Sequence, residues 1–308
     1  MMGPAGSVIC NKDIASTGHR DRVIDALQIP PITLDVTVEG QTSNEAAMAE
    51  QLVSLENQPD SRRDNKGLPI FRSQRRVASQ NRLLSNLSPR LKTALAGHLT
   101  AVSMPKGRHL WEMGDPLSHV YFPVDCIILL AQTMSDGCTN EVAVVGNEAV
   151  TSVNACMGCN RAPTSAIVLH PGTALRMNLD RLREEFTKFG ELHVQVLRYA
   201  QALMVQVGQT VACFRHHSIQ QQVSSLLLAC LDRVRSQPLM MTHEVISGLL
   251  GVRRVGVTEE LVKLRLFGAI TGERGEITVV DSERLTQCAC ECYSVVKKEF
   301  ERLRTIAA

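Results

Sequence analysis

From Gln80 onward the apolar residues fall into two rhythms, one helical and one strand-like, and before Gln80 neither rhythm is present. Leu83, Leu84, Leu87, Leu91, Leu95 and Leu99 recur three and four residues apart, and Ser88-Pro89 has the form of an N-cap followed by proline at the first helical position. The spacing predicts a helical lead-in. Beyond it, Met104-Pro105-Lys106-Gly107, Met113-Gly114-Asp115-Pro116 and Ser135-Asp136-Gly137 separate short apolar runs at 119–122, 127–130 and 141–145. Short strands divided by Gly, Pro and Asp turns predict an antiparallel roll, continued through 165–169 and, past Pro171-Gly172, through 174–177.

The helical rhythm returns near Asp180. Leu197, Ala200, Met204, Val207 and Val211 step by 3, 4, 3 and 4, with Phe214 next in the series. That is a heptad seam, and Gln201, Gln206 and Gln209 flank it, leaving one narrow apolar stripe of the kind that seeks a partner helix. The alternative is a long helix lying on its own roll. Ser218 and Gln221 have capping-box spacing, opening a further helix with a stripe of Val223, Leu226, Leu227, Cys230, Leu231 and Val234.

Residues 241–264 hold the most informative pattern. Thr242 is a candidate N-cap, and Val245, Ile246, Leu249 and Leu250 form one apolar face. Gly251 falls where the chain turns sharply, and Val257, Leu261 and Leu264 form the next face. This predicts a helix-turn-helix. Residues 270–271 and 277–280 flank Gly272-Glu273-Arg274-Gly275, a strand pair that would add a wing. With the apolar face buried, Arg253, Arg254, Val255, Thr258 and Glu259 remain outside, at the start of the second helix. Two arginines there oppose the helix dipole at about 0.3–1 kcal/mol each, so folding does not account for them. A phosphate or a guanine edge does, and Val or the Thr methyl can touch a thymine methyl. We assign Arg253, Arg254, Val255, Thr258, Glu259 and Thr242 as candidate contacts to double-stranded DNA; a solvated arginine pair on an ordinary helical hairpin is the competing account.

Composition narrows this picture without deciding it. The 308 residues suit about two domains, and a net charge of +2 excludes a bulk polycation, so any grip on DNA is local. The N-terminus lacks a basic stretch followed by an apolar one, and no run approaches ~20 apolar residues, so a cytoplasmic protein with no membrane span is expected. Glycine-rich phosphate loops, His-Glu-x-x-His, Gly-x-Ser-x-Gly and paired catalytic carboxylates are not found in the sequence. No enzyme activity is expected.

The order of parts resembles the Crp/Fnr superfamily of bacterial transcription regulators over about Leu83 to Leu303. The resemblance is carried by Leu110-Trp-Glu-Met-Gly-Asp-Pro116, His119-Val-Tyr-Phe-Pro123, Gly146-Asn-Glu148, Leu249-Leu-Gly-Val-Arg-Arg254 and Cys290-Glu-Cys-Tyr293. It implies an α+β fold divided into a loosely structured tail (1–78), a β-roll sensor (79–190), a dimerisation helix (191–217) and a winged helix-turn-helix domain (218–308). It further implies a homodimer reading a palindromic site, with RNA polymerase as a protein partner and an unknown signal taken at the roll. Arg254 matches the family's guanine-reading arginine. Val255 and Glu259 differ from the glutamate and second arginine of well-known members, so their half-site does not transfer, and the match is to a subgroup with an Arg-Arg recognition helix. The family's effector pocket maps to Glu148, Arg161, Thr164 and Ser165. Here Thr164-Ser165-Ala166 stands where cyclic-nucleotide binders have Arg-Ser-Ala, and Thr cannot neutralise a cyclic phosphate, so cyclic AMP is not the expected effector.

Ten cysteines show no repeating frame and are expected to be reduced. Cys10 alone lies in the tail, unlike the N-terminal cysteine cluster of iron–sulfur members, so no cofactor and no metal are expected. Cys156-x-x-Cys159 has redox or metal spacing, which leaves a redox- or metal-sensing regulator as an alternative; a ligand or interaction protein without DNA binding is another. Cys288, Cys290 and Cys292 alternate at an expected helix start, and His216-His217 are assigned a hinge or capping role.

Overall fold

The computed structural model describes residues 79–135, 139–234, 238–273 and 275–305. The tail expected over 1–78 lies outside these described residues. Two short helices lead in, α1 (Arg82–Ser85) and α2 (Pro89–Ala96), each with a side-chain cap: Asn81 accepts from the Leu84 amide and Ser88 from the Leu91 amide. The expected helical lead-in is present as two helices, with Ser88 capping the second as its position before Pro89 predicts, and Leu99 lies beyond it.

Seven strands follow: β1 (Thr100–Met104), β2 (His109–Trp111), β3 (His119–Pro123), β4 (Ile127–Thr133), β5 (Thr139–Val145), β6 (Ser165–His170) and β7 (Gly172–Asn178). They form a three-stranded sheet β1-β7-β3 and a four-stranded sheet β2-β6-β4-β5, with antiparallel pairing throughout. The expected strands lie within β3 to β7. β1 and β2 are additional; each is a largely uncovered strand at a sheet edge, with too few buried residues to show an apolar rhythm.

Helices then dominate: α3 (Leu179–Phe186), α4 (Glu191–His216), α5 (Ile219–Leu231), α6 (His243–Leu250) and α7 (Arg254–Leu266). A small pair of strands, β8 (Ile270–Thr271) and β9 (Thr278–Val279), precedes α8 (Ser282–Cys288) and α9 (Glu291–Thr305). The chain is α+β: a β-roll, one long helix and a winged helix-turn-helix. The Ser218 capping box at the start of α5 has both reciprocal hydrogen bonds. Among the described residues no helix is long and apolar enough to cross a membrane.

The four-stranded sheet is apolar on both faces. Ile128 and Leu130 of β4 turn into the roll, where they meet a core containing Phe122, Val145, Val168 and Leu175. Ile127, Leu129 and Ala131 turn the other way, and with Val144 and Leu169 they join a second core built from α5, α6, α7 and α8, including Val223, Leu227, Leu250 and Leu261. Side chains alternate across a strand, so an unbroken apolar run covers both faces only if a second layer packs outside the roll. The helix-turn-helix region supplies that layer. Helix α4 seals one flank, with Leu192, Val196, Tyr199, Ala200 and Ala202 in the roll core beside Phe300 of α9.

A buried ion pair sits where these layers meet. Arg233, just past α5, donates Nε to Glu148 Oε1 at 2.8 Å, and both side chains are 6% exposed. Its remaining nitrogens reach the Ala229 carbonyl at 2.8 Å and Gln206 Oε1 of α4 at 3.4 Å. Gly146 admits the arginine: a Cβ there would lie 2.5 Å from Arg233 Cβ. A cavity of about 270 Å³ opens beside the pair, lined by Glu141, Gln206, Thr210, Gln222, Tyr293 and Lys297 among others. Burial pushes the Glu141 carboxyl up to about 7 despite the nearby Arg233 charge.

Removing one partner of a buried ion pair strands the other charge. Arg233→Met is expected to cost about 3–5 kcal/mol in urea unfolding, and adding Glu148→Met to recover most of that loss, since a buried pair exchanged for apolar groups is close to neutral. If the single and double variants unfold alike, the pair is not a structural link. Glu141 gives a pH test. Its proton is held more tightly in the folded chain, so this contribution is full below its ordinary value of 4.5 and lost as pH rises through about 7. Glu141→Gln is expected to match the parent near pH 4 and to exceed it by about 3 kcal/mol at pH 8; an equal difference at both pH values would contradict the raised carboxyl.

Candidate nucleic-acid interface

Thr242 caps α6 by accepting from the Val245 amide at 3.2 Å, which leaves its own hydroxyl hydrogen available. Gly251 ends the helix with φ 64°, the left-handed region that glycine enters without a Cβ penalty. The chain then turns into α7. Val257, Leu261 and Leu264 are wholly buried, and Gly256 lets α7 approach α5 so closely that a Cβ would lie 2.9 Å from Ile219 Cδ1. This packing fixes which side of α7 faces out.

Arg253, Arg254, Val255 and Glu259 are exposed, with Val255 at 67%. Arg253 is the N-cap residue, and no side chain caps the first amides of α7. Free amides and the positive end of the helix dipole therefore stand beside two guanidinium groups, a combination suited to an anion. Arg254 has one nearby acid, Glu244 of the first turn of α6, at 3.6 Å; both side chains are largely in solvent, so the contact is weak. Thr258 is half-buried. Its hydroxyl bonds the Arg254 carbonyl at 3.0 Å and meets His243 Nδ1 at 2.9 Å, so it serves the packing of α6 on α7 and offers mainly its methyl group outward.

His243 escaped the sequence reasoning because a histidine after a capping threonine has no signature of its own. Burial, and then the Arg265 and Arg254 charges, hold its imidazole below the ordinary range. The neutral ring ties the two helices together without adding charge to the exposed face. The wing is short: Ile270 pairs Val279 and Thr271 pairs Thr278, while Ile277 bridges to Leu239. Its turn comes down on Thr242, since a Cβ at Gly275 would lie 2.8 Å from Thr242 Cγ2.

The long helix α4 exposes a different seam from the expected one. Val194, Leu197, Met204 and Val211 are the exposed large apolar residues, and Gln201, Gly208 and Arg215 fall between them in steps of three and four. Leu197, Met204 and Val211 of the expected set thus lie on the open face. Ala200 is buried against the roll core and Val207 is half-buried, so neither belongs to that stripe. The helix has two apolar faces, and the sequence pattern merges them. Gln206, taken as part of the solvent side, is also buried; it donates to the Val144 carbonyl at 3.2 Å and accepts from Arg233.

The four expected effector residues do not converge. Glu148 is committed to Arg233 and borders the cavity between the roll and the helix-turn-helix. Arg161 is exposed and donates to the Gly114 carbonyl at 2.8 Å. Ser165 is buried, donating to Glu112 Oε2 at 2.7 Å, and Thr164 offers its carbonyl to the Trp111 indole. Glu148 is taken up by an arginine from outside the roll, whereas the other three bond to Gly114, Trp111 and Glu112 within it.

The cysteines also sort differently from their spacing. Cys159 is exposed, whereas Cys156 is half-buried and burial pushes its thiol up to about 11. Cys288 ends α8, while Cys290 and Cys292 flank the start of α9 and meet Cys213 and His217 at the end of α4. These four are the group of possible metal ligands found among the described residues.

Comparison with known proteins agrees with this geometry. Residues 221–288 match the Crp-like helix-turn-helix domain family. The chain is 23% identical over 214 residues to a CRP-like cAMP-activated global transcriptional regulator of Mycobacterium tuberculosis, covering 67% of this chain and 96% of the relative. It is 22% identical over 213 residues to a global nitrogen regulator of Nostoc, covering 66% and 95%. Among solved structures, FixK2 from Bradyrhizobium japonicum superposes with a TM-score of 0.53 at 16% identity, covering 62% of this chain and 98% of the other. A CRP-family transcriptional regulator from Thermus thermophilus gives a TM-score of 0.51 at 17% identity, covering 61% and 96%. The structural likenesses are likenesses of fold.

Proposed function

We propose that this chain, a DNA-binding transcription regulator with a Crp-like helix-turn-helix, works as a homodimer that reads a palindromic site through α7. The observation that carries this reading is the outward face of α7, where Arg253, Arg254 and Val255 surround an uncapped helix start. Arg254 is the residue for a guanine edge and Arg253 for a phosphate. Val255 and the Thr258 methyl suit a thymine methyl, and Glu259 can accept from cytosine N4. Thr242, under the wing, has a hydroxyl hydrogen for a backbone phosphate.

The homodimer rests on the open stripe of α4. Val194, Leu197, Met204 and Val211 form a helical seam exposed among the described residues, and a second copy would bury it as a coiled coil. Two-fold pairing would set two α7 helices about 34–36 Å apart, one turn of the duplex. RNA polymerase is the further partner this role implies. The signal is taken in this reading at the cavity beside Arg233, where the buried Glu148 Oε2 and Gln222 Oε1 have no hydrogen-bond partner among the described residues. Thr164 in the place of a phosphate-binding guanidinium, and Glu148 held by Arg233, both favour an effector other than cyclic AMP. The non-enzymatic role agrees with the known relatives, which are regulators of transcription.

Two measurements test the reading. With a site selected from random duplexes, Arg254→Ala is expected to weaken specific binding by about 1–3 kcal/mol, while Arg253→Ala lowers the slope of log K against log[salt] by about 1. Unchanged binding in both variants would remove α7 as the reading helix. Met204→Glu places like charges across the seam; sedimentation is expected to show a monomer, with loss of full-site protection in a footprint. A variant that stays dimeric would show that the interface lies elsewhere.

A further inference from the structure

The end of α4 and the start of α9 bring four metal-ligating side chains to one point. Cys213 and His217 lie four residues apart, so they share one face of α4 and its cap; Cys290 and Cys292 project from the junction between α8 and α9. Their four ligand atoms all lie within 4.8 Å of one another, and the three cysteines are each no more than 7% exposed. We propose that Cys213, His217, Cys290 and Cys292 form a closed tetrahedral site for Zn²⁺, clamping the long helix to the C-terminal domain.

The spacings fit that ion better than they fit a disulfide. Cys213 Sγ and Cys290 Sγ are 3.5 Å apart, far beyond the ~2.05 Å of an S–S bond. His217 Nδ1 and Cys292 Sγ are also 3.5 Å apart. A tetrahedron with Zn–S of about 2.3 Å and Zn–N of about 2.0–2.1 Å has ligand–ligand edges of about 3.8 Å for S···S and about 3.6 Å for N···S. The set is therefore close to its metal-bound form. Three thiols and a histidine complete four-coordination, which is the signature of a structural site with no position left for water.

The surroundings fit a metal as well. The second ring nitrogen of His217 lies 3.3 Å from Glu291 Oε1, so a carboxylate orients the imidazole with Nδ1 toward the centre. Ser225 Oγ lies 3.2 Å from Cys290 Sγ and accepts from the Cys290 amide, fixing that thiol. Gln222 donates to the carbonyls of Cys213 and His217, holding the cap of α4. Cys292 belongs to the first turn of α9. Three thiolates and a neutral imidazole around one Zn²⁺ leave a site of net charge −1.

The full-length chain, purified in reductant and dialysed with Zn²⁺, is expected to retain one zinc per chain by elemental analysis. Co²⁺ in its place is expected to give the visible bands of a tetrahedral thiolate complex. Cys213→Ser and Cys290→Ser should each weaken zinc retention by about tenfold or more, whereas Cys159→Ser leaves it unchanged. Because a serine variant could misfold, the parent chain provides a second readout: Zn²⁺ is expected to protect Cys213, Cys290 and Cys292 from alkylation, mapped by peptide mass, and the chelated chain to lose that protection. Absence of stoichiometric zinc overturns the proposal, as does zinc retained in both variants or a Cys213–Cys290 disulfide in the freshly isolated chain. None of these results depends on DNA binding, so the zinc site and the proposed function fail separately.

Discussion

A strand with apolar side chains on both faces has to be covered twice, and much of this architecture follows from that constraint on β4. Its even-numbered residues fill the roll and its odd-numbered ones need a second layer, which α5 and α6 provide. Burying one such side chain is worth about 1.5–3 kcal/mol, so a helix-turn-helix lifted off the sheet would expose Ile127, Leu129 and Val144 at considerable cost. The helix-turn-helix is therefore held on the roll by apolar packing, with α5 lying between the roll and α7.

Charge is used sparingly, and where it occurs it does one of two things. Arg233 is inward, and its bonds to Glu148, Gln206 and Ala229 join roll, long helix and DNA-binding domain at one guanidinium. Arg253 and Arg254 are outward and have little to hold within the chain. Local folding energy accounts for the first kind and not for the second, so the second reads as ligand-facing. A net charge of +2 is consistent with such economy, with basic groups placed locally rather than spread over the surface.

Features set by neighbouring residues were legible in the sequence. The Ser218 box, the Gly251 turn and the buried face of α7 depend on residues a few positions apart, and the structure has each of them. Features set by packing over long separations were not. β1 and β2 are edge strands without an apolar rhythm, the seam of α4 is displaced because Ala200 serves the opposite face, and Glu148 finds its partner 85 residues away. The four ligands are a further instance. Cys290-x-Cys292 and Cys213-x-x-x-His217 are each unremarkable pairs, and 77 residues separate Cys213 from Cys290.

These long-range contacts concentrate at the junction below α4. Cys213 and Cys292 belong to the ligand cluster and also border the cavity that holds Glu141, Gln206 and Arg233. The long helix α4 packs on α9, and α7 packs on α5 through the close approach at Gly256. A buried ion pair lies on one side of this junction and the Cys213, His217, Cys290 and Cys292 side chains converge on the other. The polar groups buried here are costly to desolvate, and the cost at Arg233 is offset by bonds to Glu148, Gln206 and Ala229, which belong to three separate parts of the chain.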